Sequence, residues 1–374
     1  MLELADIFRV AGPTYREAHA GRLLPSHQHA MDDIVRCRTA ALGGSVYQCD
    51  ACGALDYAYH SCRNRHCPKC QEDRGQEWLT GVRARLLPCD HYFLTFTLPQ
   101  ELRALARAHQ HVVYSALLQE AAAAVQTLAA DRAWVGGQVG ILAVLQTWTR
   151  TLDYHPHAHL LVTAGGLAPD GEGWVKPAHA RFLMPGYMLS ALFRAKLRDA
   201  LAQAGFANQI APAVWKRRWT VHVQQIGHGD HAVRYLARYV FHVALTNARI
   251  RRFEHDRVTF SYTHARTQEI RHLTLPVDAF IERFLQHVLP RGFTKIRYFG
   301  LLSPSCRPKL DHARHLLELH AASEDPPTRV AATDSIDSTS PASTISLPTV
   351  LRCPACHRGQ LHLIERVARP RAPP

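Results

Sequence analysis

No run of about 18 or more apolar residues occurs in this 374-residue chain, so a membrane-spanning helix is not expected. The opening residues, Met1-Leu2-Glu3-Leu4-Ala5-Asp6, lack the basic and apolar segments of a secretion signal, which makes the cytosol the expected setting. Acid is in deficit: 31 Asp and Glu stand against 44 Lys and Arg, for a net charge of +13 and a pI near 9.5. That surplus favours a polyanionic partner, with nucleic acid the commonest. Lysine is scarce as well, since 38 of the 44 basic residues are arginine. A GC-rich genome would produce the same bias, so charge alone only suggests DNA. Regular β-α-β alternation is missing too, and the mixture of strands and helices that is present points to an α+β fold.

What the chain does have is cysteine, at positions 37, 49, 52, 62, 67, 70, 89, 306, 353 and 356. Six fall within 34 residues. In a chain without an export signal, paired C-x-x-C spacing reads as metal binding rather than disulfide bonding. Cys49-x2-Cys52 and Cys67-x2-Cys70 are two knuckles fourteen residues apart, enough to supply four thiolates to a tetrahedral Zn²⁺. Cys37 and Cys62, with His60 and His66 nearby, either form a second site or exchange into the first. Spacing does not separate one zinc from two, and solitary cysteines are also common core residues. Arg63, Arg65 and Lys69 sit on the same scaffold as candidate phosphate contacts, against the alternative of a solvated charged face. Cys353-Pro354-Ala355-Cys356-His357 is half of a further knuckle, with His362 or Cys306 as candidates to complete it.

The periodicity divides the rest of the chain. Residues 1–36 read as helical with an interruption at Pro25-Ser26-His27-Gln28-His29. A strand is expected at 91–97, then a long helix or a broken pair over 101–131. Gly140–Trp148 and His155–Thr163 read as an antiparallel hairpin. Helices are expected at 187–205, 231–245 and 277–289, a strand over Trp219–Gln225, and a hairpin over 257–262 and 269–275. Few large apolar residues occur over 322–349, which reads as a disordered linker. The expected division is a zinc-binding, DNA-recognition domain at 1–90, a nuclease domain at 91–321, the linker, and a small tail at 350–374.

Chemistry concentrates at Tyr154-His155-Pro156-His157-Ala158-His159. Alternate residues of a strand share a face about 6–7 Å apart, so His157 and His159 can converge on one divalent ion. His155 shares that face but lies ~13 Å from His159. Gln146, on the adjoining strand, is the candidate third ligand. A chain with 25 histidines also produces surface clusters by chance. A second feature, Arg234-Tyr235-Leu236-Ala237-Arg238-Tyr239, places two tyrosines at i and i+4 on one helix face, with Arg234 and Arg238 on an adjoining stripe. Core packing is the ordinary explanation for such a tyrosine pair. Arginines and a metal-polarised phosphate would instead favour attack by a phenol whose unperturbed pKa is about 10.

Together these residues resemble the HUH nuclease superfamily, two histidines around a hydrophobic residue with a tyrosine helix downstream. More narrowly, the chain looks like the two-tyrosine rolling-circle transposases of the insertion-sequence ninety-one type. The stretches that carry the resemblance are Cys37–Gly44, Ser61–Gln71, Phe93-Leu94-Thr95-Phe96-Thr97, His155–His159, Tyr235–Tyr239 and Gly292–Gly300. It implies an HUH nuclease domain with an antiparallel sheet, preceded by a small zinc-binding domain. His157 and His159 would hold Mg²⁺ or Mn²⁺, and Tyr235 and Tyr239 would cut single-stranded DNA at element ends and target through a 5′-phosphotyrosyl link. The setting would be a bacterial cytoplasm, on the nucleoid when bound to DNA. Similar proteins often carry a histidine where this chain has Gln146. A replication initiator or relaxase would share the chemistry, and a zinc-dependent DNA-binding protein without catalysis is the alternative from a different class.

Overall fold

The computed structural model describes residues 2–179, 183–228, 244–324 and 351–370. The chain opens with α1 (Leu4–Ala18) and α2 (Pro25–Arg36), packed against each other. Pro25 does not interrupt a helix; it starts one. At the first helical position its missing N–H has no intrahelical acceptor to lose, and its fixed φ already suits the helix. The break falls instead at residues 19–24. β1 (Gly44–Cys49) and β2 (Leu55–Tyr59) form an antiparallel hairpin, and α3 (Pro68–Arg83) follows with Pro68 again in its first turn.

β3 (Asp90–Thr97) enters the main sheet. The alanine-rich stretch after it breaks into α4 (Arg103–Ala108) and α5 (Gln110–Ala129). β4 (Gly140–Trp148) and β5 (Tyr154–Thr163) form the expected hairpin, followed by the short ribbon β6 (Gly166–Leu167) and β7 (Trp174–Val175). Next come α6 (Gly186–Gln203), α7 (Pro212–Lys216) and β8 (Val221–His228). β9 (Ile250–Glu254), β10 (Arg257–Thr263) and β11 (Ile270–Pro276) make a second antiparallel sheet. α8 (Val277–Leu285) is shorter than the helix expected to 289. β12 (Ile296–Gly300), α9 (Arg307–Glu324) and β13 (Leu361–Val367) complete the described chain. The helix expected at 231–245 lies almost wholly outside the described residues, as does most of the segment read as a linker.

The main sheet is antiparallel with strand order β12-β4-β5-β3-β8. Because side chains alternate along a strand, each face takes its own set. Leu94, Phe96, Ile141, Ala143, Leu145, Ala158, Leu160 and Val162 point toward α5 and α6 in one core. Phe93, Leu142, Val144 and Leu161 point the other way, into a core with Leu86 and Leu87 from the segment after α3 and Leu310 and Ala313 from α9. Both faces of β4 and β5 are therefore buried, which explains their nearly continuous apolar runs. His157 and His159 have the same parity as Leu161, so they lie on the second face.

A third core joins distant segments. Leu4, Ile7, Phe8, Met31 and Ile34 pack with Cys37, Cys67 and Cys70, and with Phe260, Phe280, Ile281 and Phe284. Phe8 meets Phe284 edge-on with ring centroids 5.5 Å apart. The N-terminal helices thus share an interior with β9–β11 and α8. No helix among the described residues is long and apolar enough to cross a membrane.

Candidate metal centres

Eight of the ten cysteines fall into two groups of four, and not in the pairing that the spacing first suggests. Cys67 and Cys70 do not gather with Cys49 and Cys52. They close with Cys37 and Cys62, while Cys49 and Cys52 close with Cys353 and Cys356. In each group the ligand atoms all lie within 4.8 Å of one another. The sulfurs of Cys37 and Cys70, and of Cys62 and Cys70, are 3.5 Å apart. Those of Cys49 and Cys356 are 3.7 Å apart, and those of Cys52 and Cys353 3.8 Å. A tetrahedron with Zn–S near 2.3 Å has edges of about 3.8 Å, whereas a disulfide needs about 2.05 Å. All ten cysteines are free. Both sets therefore fit structural zinc.

Their protonation agrees. Hydrogen bonds from Cys62 and Cys67 pull the Cys37 thiol down to about 7, and Cys37 and its neighbours pull Cys70 below the ordinary thiol range. Bonds from the same sulfurs push Cys62 and Cys67 up. The first set is anchored by the α1/α2 core, and Cys62 follows from the chain reversal at Arg63, whose φ is 56°.

His60 and His66 belong to neither set. His66 Nε2 accepts a hydrogen bond from the backbone N–H of Leu289 at 3.2 Å, which ties this segment to the loop before β12. Arg65 serves the same junction, donating to the carbonyls of Pro290, at 2.6 Å, and Phe293. Lys69 pairs with Glu3 at 2.6 Å. Of the three basic residues singled out as phosphate contacts, Arg63 is exposed, while Arg65 and Lys69 already hold partners within the chain. His362 faces Asp50 at 3.4 Å and Cys306 lies near Gln138, so neither completes the tail knuckle.

The histidine pair lies on β5, opposite Gln146 and Val144 of β4 and Thr97 and Thr95 of β3. The rings of His157 and His159 are 4.6 Å apart and nearly perpendicular, at 89°. His157 Nδ1 sits 2.6 Å from the carbonyl oxygen of His155. A carbonyl only accepts, so Nδ1 carries the proton and Nε2 keeps its lone pair. His159 Nδ1 lies 3.1 Å from Thr95 Oγ1, and its Nε2 lies 3.1 Å from Gln146 Oε1. Burial holds His157 down to about 4 and His159 well below its ordinary value, so both rings are neutral near pH 7. Neutral imidazoles with an amide oxygen beside them are a donor set that fits a divalent cation. His155 stands apart: its Nδ1 takes a 2.5 Å hydrogen bond from Arg103.

Sequence reasoning missed three residues here. Thr95 is the hydroxyl partner of His159, Phe93 stacks on the His159 ring with centroids 5.0 Å apart, and Arg103 holds His155. The period of two along β3 would have put Phe93 and Thr95 on one face. Pairing that face with β5 needs the strand order, which spacing does not carry. Arg234, Tyr235, Arg238 and Tyr239 lie outside the described residues.

Comparison with known proteins bears on both regions. A family model described as "Transposase zinc-binding domain" matches residues 7–98, and one described as "Putative transposase" matches residues 140–309. "Putative transposase y4qJ" of Sinorhizobium fredii is 37% identical over 389 aligned positions, spanning 97% of this chain and 95% of that protein. The "Transposase for insertion sequence element IS801" of Pseudomonas savastanoi pv. phaseolicola is 30% identical over 285 positions, 72% of this chain and 68% of that one. No solved structure matches the chain. Two models in order along the sequence, and a relative aligned over nearly all of it, place this chain in the family of insertion-sequence ninety-one transposases, with a zinc-binding domain at its N-terminus.

Proposed function

We propose that this transposase cuts and rejoins single-stranded DNA with a tyrosine nucleophile beside a divalent cation held by His157, His159 and Gln146. The observation that carries the reading is the 2.6 Å contact between His157 Nδ1 and the His155 carbonyl oxygen. The Nδ1 proton is committed to that carbonyl, so Nε2 has a lone pair and no proton to lose. Mg²⁺ or Mn²⁺ there would polarise the scissile phosphate.

The chain's own groups do the rest. Gln146 Oε1 offers a hard oxygen donor, and Thr95 Oγ1 would accept a hydrogen bond from the Nδ1–H of His159 with Nε2 serving as a ligand. Tyr235 or Tyr239 attacks phosphorus. The bond from its phenolic oxygen to phosphorus forms as the bond to the 3′ oxygen breaks, leaving a 5′-phosphotyrosyl link and a 3′-hydroxyl that takes up a proton. The second tyrosine serves the second cleavage or the strand transfer. Since the link conserves the phosphodiester's energy, rejoining needs no external source.

A groove of about 700 Å³ runs between α2, the zinc segment and the loop before β12, with His29, Arg63 and Arg291 in its walls. Its charge suits a phosphate backbone, and binding there would weaken steeply with salt. The test is cleavage of labelled single-stranded DNA from the element's ends, with Mg²⁺ or Mn²⁺ and with chelator. Nicking that needs the cation and disappears in a variant carrying His157→Ala and His159→Ala supports the reading. Nicking indifferent to both refutes it. An origin-nicking initiator would instead cut only its own origin, and a pure binder would cut nothing.

A further inference from the structure

The two knuckles of the second cysteine set are copies of one turn. In the N-terminal one, the N–H of Gly53 donates to the carbonyl of Cys49 at 3.0 Å, and Gly53 has φ 69°. In the tail, the N–H of His357 donates to the carbonyl of Cys353 at 3.0 Å, and His357 has φ 57°. The residue after the second cysteine is left-handed in both. Few residues other than glycine take that region, histidine being among those that do so more readily. These equivalent turns face each other across 301 residues of sequence, with sulfurs at 3.7 and 3.8 Å.

We propose that Cys49, Cys52, Cys353 and Cys356 bind a second Zn²⁺, and that this ion clasps the C-terminal tail onto the N-terminal module. Around it the two ends interlock. Asp50 N–H donates to the carbonyl of Gln360 at 3.1 Å, and Gln360 N–H returns a bond to Asp50 Oδ1 at 2.8 Å. β13 then runs antiparallel along β1 from Cys49–Leu361 to Gly44–Val367, making the hairpin a three-stranded sheet. A β-carbon on Gly359 would stand 2.4 Å from Cys49 Sγ and 2.6 Å from Asp50 Oδ1. One on Gly43, which has φ 70°, would stand 2.6 Å from the Val367 carbonyl.

Among the described residues the tail has little else to hold it. Five consecutive residues of β13, His362 to Arg366, are exposed, Leu363 and Ile364 among them. A strand that buries so little does not stay paired by itself, and the tail segment is far too short for a core of its own. In modules this small, metal binding supplies the folding free energy. The module closes only once residue 356 has been synthesised. The clasp is also the more accessible site: Cys52 is exposed, whereas Cys37, Cys67 and Cys70 of the first set are buried.

Zinc content and amide exchange on the full-length chain test this. Native protein should carry two Zn²⁺, and variants with Cys49 and Cys52, or Cys353 and Cys356, changed to Ser should each carry one. The variant with all four changed should also carry one, because both pairs serve the same ion. The β13 amides that donate to β1 should exchange slowly in native protein and at least a hundredfold faster in the Cys49→Ser, Cys52→Ser variant, whose tail is unaltered. Gly359→Leu keeps every cysteine and should show the same fast exchange. Two zinc ions in either pair variant would overturn the proposal. So would slow exchange of those β13 amides in a one-zinc variant, or loss of both ions on changing only Cys353 and Cys356.

Discussion

The Nδ1 of His159 on β5 lies 3.1 Å from the Oγ1 of Thr95, its direct partner across the antiparallel pair with β3. That contact sets which nitrogen of His159 can face a cation. Thr95→Val keeps the shape of the side chain and removes its hydroxyl. Outer partners of metal-binding histidines are typically worth roughly 10- to 100-fold in affinity. Mn²⁺ binding, followed by electron paramagnetic resonance, should weaken by that factor with the far-ultraviolet dichroism unchanged. Equal affinity in the variant would remove Thr95 from the account.

Gln146 supplies an oxygen where an imidazole would also fit. Oxygen donors suit Mg²⁺ and Mn²⁺, whereas imidazole favours later transition metals. Gln146→His should therefore shift preference from Mg²⁺ and Mn²⁺ toward Co²⁺, read as the ratio of cleavage rates in each metal. A ratio that stays constant would show that residue 146 is not a ligand.

Arg65 was singled out from sequence as a DNA contact, yet it donates to the carbonyls of Pro290 and Phe293. Arg65→Ala strands both acceptors at a packed junction, and charged hydrogen bonds of this kind contribute about 1.5–3 kcal/mol each. Thermal unfolding of the variant should come several degrees earlier, with zinc content unchanged. A variant of native stability and weakened DNA binding would restore the phosphate-contact role.

The strands of the main sheet were legible because β4 and β5 carry continuous apolar runs between turn residues, and the structure has them at Gly140–Trp148 and Tyr154–Thr163. The histidine pair was legible for the same reason, since a period of two fixes its face. Gln146 lies on the facing strand because a hairpin register links neighbours in sequence. The grouping of the cysteines was only partly legible because a knuckle shows only half of its site: Cys49 and Cys52 could as well close with Cys67 and Cys70 as with cysteines some 300 residues on. Deciding needs the three-dimensional path of the chain. Pro25 misled through its reputation as a breaker, when position in the helix decides its effect.

Acid should weaken the fold through buried histidines that belong to none of the candidate metal sites. Burial holds His91 and His287 each at about 4, against 6.5 for an exposed ring. Folded, they are neutral in the window where the unfolded chain takes up protons. Their contribution is therefore full above pH 6.5, declines as pH falls, and is gone below 4. Each is worth on the order of 3 kcal/mol at full extent. Urea midpoints should fall steadily between pH 6.5 and 4, and a flat profile would contradict the assignment.

The central claim is that a tyrosine of this chain becomes joined to DNA. The sequence makes the direct measurement convenient, because trypsin cuts after Arg234 and Arg238 and releases Tyr235 and Tyr239 on different peptides. The protein would be incubated with single-stranded end DNA and Mn²⁺, the SDS-resistant adduct isolated and digested, and the nucleotide-bearing peptide identified by mass spectrometry. The account predicts a nucleotide on Tyr235-Leu236-Ala237-Arg238 or on the peptide beginning at Tyr239, and no adduct when His157 and His159 are alanine. A nucleotide on another residue, or no adduct while DNA binding persists, would contradict it.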